Sequence, residues 1–269
     1  MKITRSFAVS LSALLVLWMS LTFAWATDLT ADEVMNKNFY VTKISVLTSD
    51  ATMTLINDKG QRRERKIRNL SKLQEDGISV KLFIRFETPA DVRGTTFLQI
   101  QQVDRDDDMW IYLPALKKTR RLVSNNKHDS FVGSDFAYAD ILPLKPSLFR
   151  HSLLRTEVVN GYDCFVIESV PREEGLQKDL GYSKSITWIR KDNFLELRVD
   201  YFDLDGQLLK TQTTADHKLV ETNTKRWLAM QREMINHQTG HKTLINLDRI
   251  DTKAPVSSRA FAVEAMERN

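Results

Sequence analysis

Cysteine is nearly absent from this chain: Cys164 is the only one in 269 residues. A single cysteine excludes an internal disulfide, so the fold must be stabilised by a hydrophobic core instead of cross-links. Cys164 lies between apolar neighbours in the stretch YDCFVIES, and free cysteines in such positions are usually buried. We therefore interpret Cys164 as a core residue and not as a catalytic nucleophile.

Long apolar runs are also missing, with one exception near the N-terminus, Phe7–Phe23. Lys2 and Arg5 precede this run, and Ala24-Trp25-Ala26 follows it. This order is typical of a secretory signal peptide, for which we predict cleavage after Ala26. An uncleaved membrane anchor is the alternative, because the run approaches the ~17–25 residues that span a bilayer.

Neither sign of charge dominates the sequence, which has 39 basic and 35 acidic residues. Loss of Lys2 and Arg5 with the signal peptide would lower the net charge from +4 to +2. Nucleic-acid-binding domains carry a strongly basic surface. We therefore expect no nucleic-acid partner.

Glycine is scarce, with nine residues, and several of these glycines lie in turn signals between strand-like stretches. Turns of this kind are typical of β-hairpins; they are Asn57–Gly60, Asn160-Gly161, Asp203–Gly206 and Gln238–Gly240. The stretches Ile78–Phe86 and Leu195–Tyr201 alternate along the chain in steps of two. This period predicts strands with one face on a core and the other in water. It places Phe83 and Glu196 on the solvent face.

The fold class that follows is mainly β. We predict about ten or eleven strands in one curved antiparallel sheet, which forms a single domain over residues 27–269. The candidate stretches are 44–56, 61–72, 78–88, 94–103, 109–113, 118–124, 153–159, 162–170, 184–191, 194–203, 207–220, 226–237 and 241–250. Thr30 and Glu33 form a capping-box pattern that predicts a helix over Asp32–Tyr40. This helix, a loop with a short helical turn at 134–148 and a closing helix at 257–266 could cover the concave side.

A serine-hydrolase site is not indicated. His128, Asp129 and Ser130 are adjacent, and adjacent residues of an extended segment point away from each other. The sequence also contains no G-x-S-x-G nucleophile elbow. We therefore expect no catalytic residues.

Metal sites are weakly indicated at best. His237 and His241 are four residues apart, but a turn signal separates them, and a hairpin would be needed to bring them together with His217. The acidic run Asp104–Asp108 lacks the glycine and the closing glutamate of a helix-loop-helix calcium loop. Surface histidines and a solvated turn are the simpler interpretations, so we expect neither a metal nor another cofactor.

An aromatic stripe follows the acidic run. Trp110 and Tyr112 share one face of a short strand, and Phe131, Phe136 and Tyr138 lie in the next connection. Plain core packing and the wall of an apolar pocket both bury such residues, so the sequence leaves these two interpretations open.

The block from residue 82 to residue 140 is the most distinctive part of the sequence. It contains Leu82–Phe86, Pro89, Arg93-Gly94-Thr95, Phe97-Leu98, Asp107, Asp108, Trp110, Tyr112–Ala115, Lys118, Arg120, Arg121, Phe131, Gly133–Phe136, Tyr138 and Asp140. Through these residues the chain resembles the outer-membrane lipoprotein-sorting, LolA-like family. It is most similar to a branch of periplasmic proteins often found beside RND-type membrane transporters.

This resemblance implies an incomplete, half-open β-barrel closed by helical lid segments, with an apolar cavity for acyl chains and no catalysis. It implies a periplasmic carrier or chaperone that moves a lipoprotein or lipid between the inner membrane, with its RND-type transporter, and the outer membrane, touching membranes only transiently. The expected cavity residues are Leu82, Ile84, Phe86, Phe97, Leu98, Ile100, Trp110, Tyr112, Phe136 and Tyr138. The basic residues Lys117, Lys118, Arg120 and Arg121 could meet lipid headgroups or the transporter. The alternative is an accessory or sensor subunit that docks on such a transporter and carries nothing.

Overall fold

The computed structural model describes residues 29–123 and 127–267. The expected signal peptide, residues 1–26, lies outside the described residues. Two α-helices are present in the described part, α1 (Ala31–Val41) and α2 (Glu174–Leu180). None of the helices in these ranges is long and apolar enough to cross a membrane.

The described residues form one antiparallel sheet of thirteen strands, so the expected number of ten or eleven was too low. Each candidate stretch forms a separate strand. In chain order the strands are β1 (Val46–Ile56), β2 (Arg62–Leu73), β3 (Val80–Thr88), β4 (Thr96–Ile100), β5 (Asp108–Leu113), β6 (Lys118–Leu122), β7 (Phe149–Val159), β8 (Tyr162–Pro171), β9 (Lys184–Arg190), β10 (Glu196–Phe202), β11 (Leu208–Glu221), β12 (Arg226–Asn236) and β13 (Lys242–Asp251). The sheet is open and curved, which confirms the predicted fold class.

The strand order shows that the sheet consists of two meanders joined in the middle. Spatially it runs β6-β5-β4-β3-β2-β1-β13-β12-β11-β10-β9-β8-β7. All four predicted hairpin turns connect neighbouring strands, and their glycines have positive φ. Because β6 and β7 are opposite edges of the sheet, the chain between them must cross one face. We call the described part of this connection, residues 127–148, the crossover, and the face that it covers the inner face.

Helix α1 begins where the capping box predicted. The Glu33 backbone N–H donates to Thr30 Oγ1 at 3.2 Å, and the Thr30 backbone N–H donates to Glu33 Oε2 at 2.8 Å. Val34 of this helix packs on the inner face against Ile167 and Ile189. Helix α2, in the connection between β8 and β9, was not predicted.

The crossover packs on the inner face through an aromatic cluster. Phe131 and Tyr138 from the crossover meet Phe97 from β4, with ring centroids 5.3 to 5.6 Å apart. Val132 and Gly133 form a tight turn with positive φ values of 50° and 75°. This turn folds the segment back so that its aromatic side chains point at the sheet. The crossover contains short 3-10 turns at Phe131–Gly133, Tyr138–Asp140 and Pro146–Leu148.

The outer face is also covered at β3 to β5. Phe83 and Leu98 pack there against Phe261 and Met266 from the C-terminal segment, whose two 3-10 turns replace the expected helix. The Thr96 hydroxyl donates to the Met266 carbonyl at 3.1 Å. The prediction that Phe83 faces water was therefore wrong, because the chain returns to bury a second face.

Lys43 is a buried cation just beyond α1. It is 2% exposed, donates to Gln101 Oε1 at 3.1 Å, and lies 3.9 Å from the centroid of the Phe39 ring. Burial lowers the pKa of Lys43 to about 8, against the opposing effect of Asp107 and Asp76. Between about pH 8 and the unfolded value of 10.5 the unfolded state binds more protons, so this group makes stability rise with pH there.

We expect Lys43→Met to raise the free energy of unfolding at pH 7, by up to about 3 kcal/mol, because it removes a desolvated ammonium. The variant should also lose the rise in stability between pH 8 and 10.5. Urea unfolding of both proteins across this range measures the difference, with Lys59→Met at an exposed position as the control. A variant less stable than the parent at pH 7 would show that the buried charge stabilises the fold.

Candidate functional site

Two cavities lie on the inner face, one on each side of the middle of the crossover. The first has a volume of about 290 Å³ and is bounded by α1, the crossover and strands β7 to β12. The second has a volume of about 200 Å³ and lies over β1 to β3, β12 and β13. Together they reach the ~300–1,000 Å³ that is typical of small-molecule sites. Both volumes far exceed the ~10–15 Å³ that a single water molecule needs.

One wall separates the two cavities. It combines Leu142 and Pro143 of the crossover with Leu228, Ala229 and Arg232 of β12, and these residues line both cavities. The crossover therefore divides the inner face into two compartments instead of filling it. The second cavity is largely apolar, with Met53, Ile67, Leu82 and Ile84 in its lining.

A β-bulge turns Glu196 into the first cavity. The pairing of β10 with β9 shifts register between Glu196 and Arg198, so Leu197 packs on the outer face and Glu196 faces inward. The prediction that Glu196 faces solvent was wrong for this reason. Gln212 Nε2 donates to Glu196 Oε1 at 2.7 Å. Burial raises the pKa of Glu196, opposed by the nearby Arg232.

Two histidines of the first cavity have lowered pKa values. His151 Nε2 bonds to the Pro146 carbonyl at 2.9 Å and its Nδ1 to Ser169 Oγ at 2.8 Å. Because a carbonyl only accepts, Nε2 carries the proton. Burial lowers the pKa of His151 and of His217, which lies 3.0 Å from Thr214 Oγ1.

Buried polar contacts anchor the crossover to the sheet. Lys210 Nζ lies 2.5 Å from Asp140 Oδ2, and both side chains are less than 10% exposed. Arg232 Nη2 donates to the Asp140 carbonyl at 2.9 Å and to Gln212 Oε1 at 2.8 Å. Asp135 accepts from Thr243 Oγ1 at 2.7 Å. These contacts fix the position of the wall between the cavities.

The structure separates the ten expected cavity residues into three groups. Leu82 and Ile84 line the second cavity. Phe86, Phe97, Phe136 and Tyr138 pack in the inner-face core beside it. The remaining four are under the C-terminal segment on the outer face, away from both cavities, because side chains alternate along β4 and β5; they are Leu98, Ile100, Trp110 and Tyr112.

The four basic residues lie at one edge of the sheet. Lys117, Lys118, Arg120 and Arg121 are exposed, in edge strand β6 or just before it. Arg121 Nη2 pairs with Asp108 Oδ1 at 2.6 Å. The edge therefore presents a basic strip next to the cap formed by the C-terminal segment.

The side chains tested for chemistry are held in structural contacts. Ser130 donates its hydroxyl to the Ser134 carbonyl at 2.5 Å. His237 Nε2 lies 2.8 Å from Thr211 Oγ1, whereas His241 Nε2 lies 3.9 Å from Asp58. Across residues 29–123 and 127–267 no group of three or more His, Cys, Asp or Glu side chains could hold a metal ion.

Sequence reasoning missed most of the first cavity. Part of its polar lining comes from strands β9 to β11, where Thr187, Glu196 and Gln212 alternate with ordinary strand residues. The pattern contains no signal for a site, because polar residues on half-buried strands are commonly exposed to water.

The buried ion pair allows a direct test of the anchoring. We expect Lys210→Met to lower the free energy of unfolding by ~3–5 kcal/mol, because it leaves the Asp140 carboxylate buried without its partner. Adding Asp140→Asn should recover much of this loss. Urea unfolding measures both, with Lys178→Met at the exposed Glu174 pair as a control expected to leave the stability nearly unchanged. An equal loss in the single and double variants would contradict the role of the pair.

Known proteins share this fold and part of this sequence. A family model described as "Uncharacterized protein" matches residues 79–268. No curated protein matches the chain. A solved "putative outer membrane lipoprotein-sorting protein domain" from Vibrio parahaemolyticus is 32% identical, with a TM-score of 0.81, over 88% of this chain and 98% of that one.

Two further solved structures are similar. A DUF1329 family protein from Desulfovibrio piger is 29% identical over 88% of this chain and 97% of its own, with a TM-score of 0.80. A LolA superfamily protein from Nitrosomonas europaea shares the fold at 17% identity, over 87% and 98% of the two chains, with a TM-score of 0.66. The chain belongs to the family of outer-membrane lipoprotein-sorting, LolA-like proteins.

Proposed function

We propose that the protein is a periplasmic carrier that binds acyl chains of a lipoprotein or lipid in the two inner-face cavities. In this role it moves them from the inner membrane, where an RND-type transporter is its partner, to the outer membrane. The observation that supports the proposal is the pair of cavities with mainly apolar walls between the crossover and the sheet. Leu82 and Ile84 are the proposed acyl contacts among the residues expected from the sequence.

The energetics favour such a site. Keeping one methylene out of water is worth ~0.8 kcal/mol, so a long acyl chain contributes on the order of 10 kcal/mol. A chain with that cost does not cross an aqueous compartment unless a protein covers it. The family supports binding instead of catalysis, because the relative from Vibrio carries the name of a sorting protein domain and not of an enzyme.

The basic strip is the proposed contact surface for a membrane or a partner. Lys117, Lys118 and Arg120 are exposed at the edge of the sheet. Exposed cations attract anionic headgroups or an acidic protein surface, although each contact in water is weak. Transient membrane contact during loading and delivery fits this weakness.

A substitution in the shared wall tests acyl binding. We expect Ala229→Phe to weaken binding of a fluorescent long-chain fatty acid by about tenfold or more. Ala229 lines both cavities, so the larger side chain reduces the volume that is open to the acyl chain. Ala215→Phe makes the same change at an exposed position of β11 and should leave binding unchanged. Fluorescence titration measures both variants. A parent protein that binds no fatty acid, lysolipid or lipopeptide would refute the carrier.

The accessory-subunit alternative makes a different prediction. If the protein is an accessory subunit, charge reversal at Lys118 and Arg120 should abolish complex formation with the transporter. If it is a carrier, the same change should reduce delivery of cargo to membranes while leaving cargo binding in solution intact. Co-purification with the transporter and lipid content by native mass spectrometry separate the two functions. A protein that forms the transporter complex but never carries lipid would be the accessory subunit.

A further inference from the structure

The two cavities lie side by side and share one wall. Each is lined by strand residues of its own, from β7 to β11 for the first and from β1 to β3 and β13 for the second. They share the wall of Leu142, Pro143, Leu228 and Ala229. A single acyl chain can fill one compartment, whereas an uninterrupted rigid ligand cannot fill both. A ligand with two flexible branches joined at one point fits this shape.

Arg232 lies at the point where the branches would join. It lines both cavities, and its side chain is only partly buried. A guanidinium has five N–H donors. Among the described residues Arg232 donates two hydrogen bonds, both from Nη2, and it donates none from Nε or Nη1. Three donors therefore remain for a ligand.

The charge of Arg232 is not matched by a direct ion pair. The Asp140 carboxylate is engaged by Lys210 at 2.5 Å and accepts the Ala137 N–H at 2.7 Å. Glu196 bonds to Gln212 and not to Arg232, and burial raises the pKa of this carboxyl. A half-buried cation in this setting favours an anion with several acceptor oxygens, such as a phosphate.

We infer, resting on the carrier function proposed above, that the site binds a two-chain lipid with an anionic headgroup. One acyl chain occupies each cavity, and the headgroup lies at Arg232. The crossover residues Leu142 and Pro143 separate the two chains. A lipid of this class occupies both cavities, whereas a single-chain fatty acid occupies one. Its charged headgroup also pairs with Arg232, whereas the headgroup of a neutral diacyl lipid does not.

Blocking one compartment at a time tests the two-chain part. Ser185→Phe fills only the first cavity and Ser71→Phe only the second. Ser152→Phe on the exposed edge strand is the matched control. The probes are phosphatidylglycerol and lysophosphatidylglycerol with the same acyl chain, and native mass spectrometry with competition against a fluorescent lipid measures their binding.

We expect each blocked variant to weaken phosphatidylglycerol by about tenfold or more, because one chain loses its burial. Lysophosphatidylglycerol should change by less than about threefold in either variant, since its one chain can use the open cavity. If only one variant affects phosphatidylglycerol, the lipid uses one cavity and the two-chain inference is overturned, while the carrier function stands. If the parent protein binds neither lipid, the carrier function fails as well.

Substitution of Arg232 tests the headgroup part. In the parent we expect phosphatidylglycerol to bind about tenfold or more tightly than diacylglycerol with the same chains, and Arg232→Gln to remove that preference. Arg232→Lys should retain part of it. A purely structural Arg232 would weaken both lipids equally and leave their ratio unchanged, which would overturn this assignment. A neutral diacylated lipopeptide that binds as tightly as phosphatidylglycerol would do the same.

Discussion

The crossing of the inner face by the segment between β6 and β7 is the constraint on which the structure depends. The two strands are opposite edges of the sheet, so irregular backbone must traverse a largely apolar surface. Its carbonyl groups need donors there. Arg65 Nη1 donates to the Val132 carbonyl at 2.5 Å, Arg232 Nη2 to Asp140, and Gln101 Nε2 to Pro143 at 3.1 Å. Because 3-10 turns and loops cannot interdigitate along a whole sheet, spaces remain on both sides of the segment, and these are the two cavities.

The charged residues buried around the crossover lower the stability of the fold. Burying Lys43, Asp140 and Lys210 is unfavourable unless each has partners, and Lys43 has few. An apolar replacement of such groups often gives a more stable protein. The fold does not require these polar contacts to attach the crossover, because the aromatic cluster of Phe97, Phe131 and Tyr138 already packs it against the sheet. What the polar contacts add is a single position for the segment that divides the inner face.

Local rules predicted the elements well and the site poorly. Glycine turns and period-two stretches located all thirteen strands, and Thr30 located the start of α1. These signals depend on neighbouring residues in the chain. Glu196 faces the cavity only because of a bulge opposite β9, and Trp110 is partly buried only because the C-terminal segment returns to cover it. Such long-range pairings have no local signature, and this is why aromatic residues of the most specific sequence block were expected in the cavity wall.

Polar groups in a lipid cavity also bear on release. A fully apolar cavity would bind a long acyl chain with on the order of 10 kcal/mol, which corresponds to a dissociation constant of roughly 50 nM. A bilayer offers the chain a similar environment, so transfer to it gains little, and a very tight complex would dissociate slowly. The first cavity presents Thr187, Glu196 and Gln212 to its contents. Where an acyl methylene group displaces water from one of these polar groups, the polar group loses its hydration and cargo binding is weakened. A cavity of mixed polarity therefore lowers the affinity for cargo, so that the acyl chain can leave the protein for a bilayer.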